Sequence, residues 1–309
     1  MADKNVFICS DGHRLSYNFW IPEDGKNIKA FVQILHGMAE HSARYEKFAK
    51  YLNKSGIAVF AGDHRGHGDT ASEDEIGWFA EKDGWNRVSS DAFELANFIT
   101  SQYGSDNNEV ILFGHSMGSF LARTVMVRYP DFYSGVIIMG TACSKGLVGK
   151  IGKKICLGEI KKYGQKAPGK KMDKLSFGSY NKSIQNPQTP FDWLSRDEKE
   201  VDKYIRDPKC GFVCTNGFFY DMLCGIEFAN DYSNAASLPK DLPLLIISGD
   251  CDPVGDMGKG VEKVYRLYRK AGIADVTLKL VPGARHELLN ETDRKETYAV
   301  LKQWITEHL

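Results

Sequence analysis

The sequence lacks several features that mark particular classes of protein. No run of apolar residues approaches 18 in length, so we expect no membrane-spanning helix. The amino terminus has no charged stretch followed by an apolar segment and a small-residue cleavage site, so we expect no secretory signal. The 40 basic and 40 acidic side chains cancel to a formal net charge of zero. This balance argues against a protein dedicated to nucleic acids, because neutralising phosphates needs excess Lys and Arg on one surface.

The cysteines show no spacing typical of a metal or redox site. Seven are scattered through the sequence, and no two form a C-x-x-C pair. This distribution is typical of reduced thiols in a cytoplasmic protein, where most cysteines pack in the interior. The sequence also has no glycine-rich loop of the kind that binds phosphates or dinucleotides. We therefore expect neither a cofactor nor a metal.

What the sequence does contain is enough apolar material for a large core. It has 309 residues, of which 42% are apolar, and this fits one large domain or a core that carries an insertion. Short apolar runs alternate with amphipathic stretches up to residue 143 and again from residue 238, as in the strands and crossover helices of an α/β sheet. Residues 144–237 show no such alternation. We therefore predict a core of residues 1–143 and 238–309, interrupted by an insertion at residues 144–237.

Hydrophobic periodicity and terminal signals locate the elements of this core. They predict strands at residues 17–21, 30–35, 56–61, 109–113, 135–139, 242–248 and 276–281. They predict helices at residues 42–54, 91–100, 116–129, 259–271 and 294–307.

One pentapeptide indicates nucleophilic chemistry. Gly114-His-Ser-Met-Gly118 is a G-x-S-x-G motif between a predicted strand and a predicted helix. A very tight turn here leaves no room for β-carbons on either side of the serine, and it lifts the hydroxyl to the carboxyl end of the sheet. We therefore predict that Ser116 is a catalytic nucleophile rather than part of a structural turn.

A serine hydroxyl is a weak nucleophile, so it needs a base, and the base needs an orienting acceptor. Among eight histidines, His286 follows the last predicted strand and should reach the same edge of the sheet. We expect the acceptor in the loop after the strand at 242–248. Asp252, held by Pro253, is the preferred candidate, and Asp250 is the alternative.

Acyl transfer also needs backbone N–H groups aimed at the oxygen on which negative charge develops. The amide of Met117, directly after the serine, is one predicted donor, and the amide of Met38, in the loop after the second predicted strand, is the other. In that second loop, Glu40 and His41 are either a second acid–base pair or hydrogen-bonding residues that hold the loop. We favour the loop-holding role.

A histidine-rich segment raises the question of a metal site. Asp63-His-Arg-Gly-His-Gly-Asp69 has two histidines three residues apart, close to carboxylates, as zinc sites do. Its glycines and the lack of further ligands favour a role in bracing the loop.

Together these motifs resemble the monoglyceride lipase and lysophospholipase branch of the α/β-hydrolase superfamily, often grouped with the serine aminopeptidases. The segments that carry the resemblance are His36-Gly-Met-Ala-Glu-His-Ser-Ala-Arg-Tyr45, Asp63-His-Arg-Gly-His-Gly68, Gly114-His-Ser-Met-Gly118, Gly249 to Asp252, and His286. The resemblance implies the α/β-hydrolase fold, with a mostly parallel central sheet flanked by helices and an inserted, mainly helical cap or lid.

For the site, the resemblance implies a catalytic triad of Ser116, Asp252 and His286 and an oxyanion hole formed by Met38 and Met117. We therefore predict a serine ester hydrolase that works through an acyl-enzyme. A small ester with one acyl chain, such as a monoacylglycerol or lysophospholipid, is the preferred substrate. A short-chain carboxylesterase or thioesterase is the nearer alternative, and a non-catalytic ligand-binding protein is the alternative from another class.

Two segments of the insertion bear on the substrate. Leu147, Val148, Ile151 and Ile155 alternate with lysines and predict a short basic amphipathic helix that contacts a lipid surface, although four glycines weaken the helix. Residues predicted to line an apolar channel are Phe212, Phe218, Phe219, Tyr220, Met222 and Leu223. Ordinary packing of the insertion on the core is the alternative for both segments.

The zero net charge conceals an uneven distribution. Between residues 145 and 182, eleven lysines and two acidic residues give a local charge of +9, so the rest of the chain carries −9. A basic insertion above an acidic core would attract an anionic lipid or interface.

Overall fold

A computed structural model of the protein describes residues 5–23, 28–104, 109–144 and 146–309. Within these ranges, the centre is a single sheet with eight strands: β1 (Asn5–Ile8), β2 (Arg14–Trp20), β3 (Ala30–Leu35), β4 (Ile57–Gly62), β5 (Glu109–His115), β6 (Gly135–Met139), β7 (Leu244–Gly249) and β8 (Val276–Val281). Their order across the sheet is β1-β2-β4-β3-β5-β6-β7-β8. The β1–β2 and β2–β4 pairs are antiparallel. The remaining pairs, β4–β3, β3–β5, β5–β6, β6–β7 and β7–β8, are parallel. The predicted mostly parallel sheet is therefore confirmed.

Helices cover both faces of the sheet. In chain order they are α1 (Glu46–Asn53), α2 (Gly84–Tyr103), α3 (Met117–Arg128), α4 (Leu147–Tyr163), α5 (Lys170–Phe177), α6 (Glu198–Arg206), α7 (Asn216–Ala229), α8 (Tyr232–Ala236), α9 (Lys259–Lys270) and α10 (Arg294–Glu307). Short 3₁₀ helices span Ser42–Tyr45, Tyr180–Ser183, Asp192–Leu194 and Leu288–Asn290. No helix within the described ranges has the length and apolar character needed to cross a bilayer.

Alternation along the buried strands divides the core into two layers. In β3, Phe31 and Leu35 face a cluster that includes apolar residues of α2, α3 and α9, whereas Val32 and Ile34 face a cluster built with α1 and α10. A strand that is apolar on both sides is expected when helices cover both faces of a parallel sheet. Because the parallel strands share one direction, the loops after β3, β5, β6, β7 and β8 meet at one edge.

Residues 144–237, which lie within the segment between β6 and β7, include α4 to α8 and are called the insertion below. Its α7 packs against α3 and α4. The predicted short helix at the start of the insertion is one helix of 17 residues, α4, despite its glycines. Packing against a neighbouring helix outweighs the low helix propensity of glycine at such positions.

Other elements differ from prediction mainly at their ends. The predicted helix at 42–54 is a 3₁₀ turn followed by α1, and the predicted helix at 91–100 is the longer α2. The first turn of α2, which contains Trp85, packs closely against α7 of the insertion. A β-carbon on Gly225 of α7 would lie 2.0 Å from the Trp85 ring. The short edge strand β1 was not predicted, and its burial pattern is largely exposed, which leaves little apolar signal.

Candidate active site

Ser116 lies in a strained turn between β5 and α3. Its φ of 55° and ψ of −120° are values that residues with a β-carbon rarely adopt. A β-carbon on Gly114 would lie 2.2 Å from the carbonyl oxygen of Gly118, and one on Gly118 would lie 2.0 Å from the carbonyl oxygen of Leu35. The Ser116 N–H donates to the carbonyl of Met139 at 3.0 Å. The tight turn predicted from G-x-S-x-G is therefore present, and its glycines are required sterically.

Asp252 and His286 form a buried pair at the same edge of the sheet. His286 Nδ1 lies 2.9 Å from Asp252 Oδ2, and the two side chains are 2% and 0% exposed. The carboxylate also accepts hydrogen bonds from the Val254 N–H at 2.8 Å and the Ser248 hydroxyl at 3.2 Å. Burial by itself lowers the pKa of His286, but the charge and hydrogen bond of Asp252 outweigh it and the pKa is raised. A carboxylate held in this way can orient the imidazole and stabilise its protonated form.

Asp250, the alternative acid, and His115, the histidine next to Ser116, have other hydrogen-bond partners. Asp250 Oδ1 accepts a hydrogen bond from the Gly283 N–H at 2.7 Å, so this side chain braces the loop. His115 Nδ1 lies 3.0 Å from the Tyr45 hydroxyl oxygen. The centroids of the His115 and His286 rings are 4.9 Å apart, and the rings are tilted by 40°. The structure thus brings Asp252, and not Asp250, to the imidazole.

The loop after β3 passes next to Ser116. A β-carbon on Gly37 would lie 3.2 Å from Ser116 Cβ, and Ala39, with φ of 52°, turns the chain back. Met38 in this loop and Met117 at the start of α3 both line the cavity that Ser116 and His286 line. The first N–H groups of a helix have no partner within the helix, so the Met117 amide is available to an anionic oxygen.

A buried network fastens this loop to the histidine. Glu40 accepts hydrogen bonds from the Gly37 N–H at 2.6 Å, the Tyr45 hydroxyl at 2.9 Å and Arg44 at 2.5 Å. Arg44 also donates to both carboxylate oxygens of Glu287, at 2.7 Å each. Burial raises the pKa of Glu40, but the charge of Arg44 outweighs it and the pKa lies well below its ordinary value. The loop-holding role of Glu40 therefore fits the structure better than an acid–base pair.

Sequence reasoning did not identify Arg44 or Glu287 as part of the site. Both residues lie in segments singled out from the sequence, since Arg44 belongs to the segment from His36 to Tyr45 and Glu287 directly follows His286. Their meeting could not be anticipated because they are 243 residues apart in sequence.

The segment from Asp63 to Asp69 braces the same edge. Asp63 accepts hydrogen bonds from the N–H and hydroxyl of Ser42, at 2.8 and 2.5 Å, and from the Asp69 N–H at 2.7 Å. Burial lowers the pKa of His64 to about 3 and that of His67 to about 4, so both rings are neutral. These contacts favour the bracing role over a metal site.

An apolar cavity of about 800 Å³ lies between the core and the insertion, with Ser116 and His286 in its wall. Of the residues predicted to line an apolar channel, Phe212, Met222 and Leu223 line it. Val148, Ile151 and Ile155 of the predicted lipid-contacting helix line it as well. Phe218 and Phe219, predicted to line the channel, are fully buried in the packing between insertion and core instead. Tyr220, the remaining residue predicted for the channel, also lies outside the lining.

The insertion also holds the loop that carries His286. The His286 N–H donates to the carbonyl of Trp193 at 3.4 Å, and the two rings lie 5.1 Å apart. Arg285 donates to the carbonyls of Asp192 and Ser195, at 2.7 and 2.9 Å. Part of the insertion is therefore fixed to the imidazole loop.

Two groups of side chains within the described ranges have the spacing of metal ligands. They are His41, Asp207 and Cys210, and Cys9, Asp11 and Asp91. Neither group includes Ser116, Asp252 or His286. In the second group, Arg65 binds both aspartates and so occupies the position that a cation would take.

Comparisons with known proteins agree with this geometry. The profile of the family described as serine aminopeptidase, S33, matches residues 26–293. The monoacylglycerol lipase of Mycolicibacterium smegmatis is 28% identical over 99% of this chain and 98% of that protein. The human monoglyceride lipase is 27% identical over 99% of this chain and 91% of that protein. The crystal structure of a thermostable carboxyl esterase from Bacillus coagulans superposes with a TM-score of 0.89, at 29% identity, and covers 99% of this chain and 98% of that one.

The sheet, the elbow at Ser116 and the full-length similarities agree on one assignment. The chain belongs to the serine aminopeptidase S33 family of α/β-hydrolases and is an ester hydrolase of its monoglyceride lipase-like branch.

Proposed function

We propose that the protein hydrolyses lipid esters with one acyl chain, such as monoacylglycerols or lysophospholipids, through an acyl-enzyme on Ser116. The observation that carries this proposal is the buried Asp252–His286 pair, which meets the Ser116 turn at an apolar cavity of about 800 Å³. Cavities of this size and character bind small molecules of mostly apolar surface. The names of the bacterial and human relatives favour a monoacylglycerol.

In acylation, the neutral His286 Nε2 takes the proton of the Ser116 hydroxyl as the oxygen attacks the ester carbonyl carbon. The carbonyl oxygen becomes negative and accepts hydrogen bonds from the amides of Met38 and Met117. Asp252 keeps the Nδ1 proton in place and stabilises the imidazolium. The imidazolium then gives its proton to the alkoxide as the C–O bond breaks, and the alcohol leaves.

In deacylation, water repeats these steps on the acyl-enzyme. His286 accepts a proton from the water as its oxygen attacks the acyl carbon, and the same two amides stabilise the negative oxygen. The bond to the serine oxygen then breaks, and that oxygen regains its proton from the imidazolium. The fatty acid leaves and Ser116 is restored.

We propose that residues 144–237 act as a cap on a core formed by residues 1–143 and 238–309. Supporting this, the insertion begins and ends at paired strands of the sheet, β6 and β7, and supplies much of the apolar wall of the cavity. A cap of this kind excludes water from the acyl chain and sets the length of chain that fits.

The cap is also proposed to meet an anionic lipid surface. Val148, Ile151 and Leu175 line the cavity yet are 62%, 50% and 59% exposed, so apolar side chains face solvent at the mouth of the cavity. Exposed lysines at positions 150 and 174 stand beside them. Apolar insertion combined with basic charge is the recognition mode of an anionic membrane surface.

Co-sedimentation with vesicles tests this surface. The protein should bind vesicles that contain phosphatidylglycerol, bind pure phosphatidylcholine weakly, and dissociate in high salt. Ile151→Asp should abolish binding, whereas Leu157→Asp, an exposed residue of α4 outside the cavity wall, should leave it intact. Absence of binding to the anionic vesicles, or equal loss in both variants, would exclude the proposal.

A fluorophosphonate probe and a panel of esters test the activity. The probe should label Ser116 stoichiometrically, and labelling should vanish in Ser116→Ala, while thermal unfolding shows that this variant is folded. The protein should hydrolyse monoacylglycerols with long acyl chains faster than p-nitrophenyl acetate. A folded protein that never labels would instead be a ligand-binding protein.

A short-chain carboxylesterase is the second candidate, because the similarity to the Bacillus coagulans carboxyl esterase is as strong as that to the lipases. The same panel decides between them. Highest kcat/KM for acetyl or butyryl esters would favour the carboxylesterase.

We also propose a cytoplasmic location. The seven cysteines are all unpaired, which suits this location.

A further inference from the structure

We propose that His41, Asp207 and Cys210 form a zinc-binding site that joins the insertion to the core. Their ligand atoms all lie within 4.8 Å of one another, and His41 Nε2 is 2.9 Å from Asp207 Oδ2. His41 lies in the loop after β3, whereas Asp207 and Cys210 follow α6 in the insertion. A shared ion would therefore link two parts of the chain that are distant in sequence.

The backbone already holds these ligands in position. The Cys210 N–H donates to the Asp207 carbonyl at 3.0 Å, so both ligands lie on one tight turn. Asp207 Oδ1 accepts a hydrogen bond from the Lys209 N–H at 2.9 Å, which leaves Oδ2 to face His41. The Gly211 N–H donates to the carbonyl of Ala39 at 2.9 Å and ties the turn to the loop that carries the histidine.

The donor set suits zinc. Imidazole nitrogen, thiolate sulfur and carboxylate oxygen are the three ligand types that Zn²⁺ takes, and three protein ligands leave one tetrahedral position for water. Binding would release the proton of the Cys210 thiol to solvent. The side chains of His41 and Asp207 are 12% and 32% exposed, so a cation can reach them.

The surrounding charges favour a cation despite a nearby arginine. Arg44 is the basic side chain that acts on Cys210, but it is paired with both Glu40 and Glu287. With Asp207, these carboxylates outnumber the guanidinium around the thiol. The charge of Lys209 also acts on Asp207, but its ammonium is paired with Asp69.

The proposed site is separate from the ester-binding cavity. None of its three ligands lines the cavity that contains Ser116. We therefore assign the ion a structural role, in which it fastens the insertion against the loop after β3, and this role is independent of the proposed ester hydrolysis.

Cobalt and zinc titrations of the full chain test the proposal. After removal of metals with a chelator, one equivalent of Co²⁺ should produce a thiolate-to-cobalt charge-transfer band in the near ultraviolet, and Zn²⁺ should displace it. Zinc at a hundredfold excess over its Kd should raise Tm by about 4 °C or more. Cys210→Ser should abolish the band, and His41→Gln should weaken Co²⁺ binding at least about tenfold.

Cys251→Ser is the matched control, because Cys251 is an exposed thiol outside the proposed site and should leave the band intact. Thermal unfolding shows whether each variant is folded, independently of any labelling of Ser116, and His41→Gln tests the same site if Cys210→Ser does not fold. Absence of the band at 1 mM Co²⁺, its persistence in Cys210→Ser, or its loss in Cys251→Ser would refute the site.

Discussion

At the scale of single residues, two aspartates at the end of β7 have different surroundings. Asp252 is fully buried against the imidazole, whereas Asp250 binds a backbone N–H on the other side of the loop. Asp252→Asn keeps the shape of the side chain but favours the wrong imidazole tautomer, so we expect kcat to fall by about 10³-fold or more. Asp250→Asn is the matched control and should keep kcat within about threefold. Equal losses in the two variants would contradict the assignment of the acid.

The pH dependence of activity follows from the same pair. The base must be neutral to accept the serine proton, so kcat/KM should rise with pH as His286 loses its own proton. Because the Asp252 carboxylate raises the pKa of His286, the midpoint of this rise should lie above about 6.5. In Asp252→Asn the amide carries no charge, and the midpoint should move to lower pH. A pH profile with a soluble p-nitrophenyl ester measures both, and an unchanged midpoint in the variant would argue against this base.

At the scale of elements, replacing glycine by alanine should have opposite effects on the free energy of unfolding in two of the helices. Gly158, within α4, is exposed and has open space at its β-carbon position, so Gly158→Ala should raise the free energy of unfolding by about 0.5–1 kcal/mol. In Gly118→Ala, the new methyl group would collide with the backbone of β3, and we expect a loss of about 2–3 kcal/mol. Denaturant unfolding measures both, and a stabilised Gly118→Ala would contradict the packing at the elbow.

The elements that sequence predicted best are those with a strong local signal. The strands at 30–35, 135–139 and 276–281 agree with the structure residue for residue. The first two are mostly apolar runs, and the third alternates apolar and polar residues at its centre, so each has a clear local pattern. The start of α2 packs against α7 of the insertion, and α4 packs against the same helix, and no local pattern records either contact. The same distinction applies to the candidate site. The turn at Ser116 could be predicted because it is a local motif, whereas the ion pair between Arg44 and Glu287 joins residues 243 apart in sequence and could not.

At the scale of the whole molecule, one buried arginine connects the core with the insertion. Arg123 of α3 is fully buried and donates to the carbonyl of Ala229 at 2.6 Å, the amide oxygen of Asn230 at 3.0 Å and the hydroxyl of Tyr268 at 2.9 Å. Ala229 is the last residue of α7, where helix carbonyls lack partners and carry partial negative charge. The carboxyl-terminal end of α7 thus supplies oxygen acceptors for the buried Arg123 guanidinium.

We expect Arg123→Met to lower the free energy of unfolding by about 3 kcal/mol, because it leaves several buried oxygens without a donor. Arg266→Met is the control, since Arg266 is exposed and pairs with Glu262 one turn away on the same helix. Urea unfolding of both variants measures the difference. Equal midpoints would show that this connection contributes little.

The insertion leaves the sheet after β6 and returns to it at β7, and these two strands are neighbours in parallel register. Because the two strands are parallel, the connection must cross from the carboxyl edge of the sheet back to its amino edge, and the entropy cost of lengthening such a connection grows only slowly with its length. The parts of the core that bind the insertion include the loop of Arg285 and Glu291 and the side chain of Arg123, whose partners lie in the insertion. One continuous stretch of the gene thus encodes much of the cavity wall, so the wall can be altered there without changing the residues around Ser116.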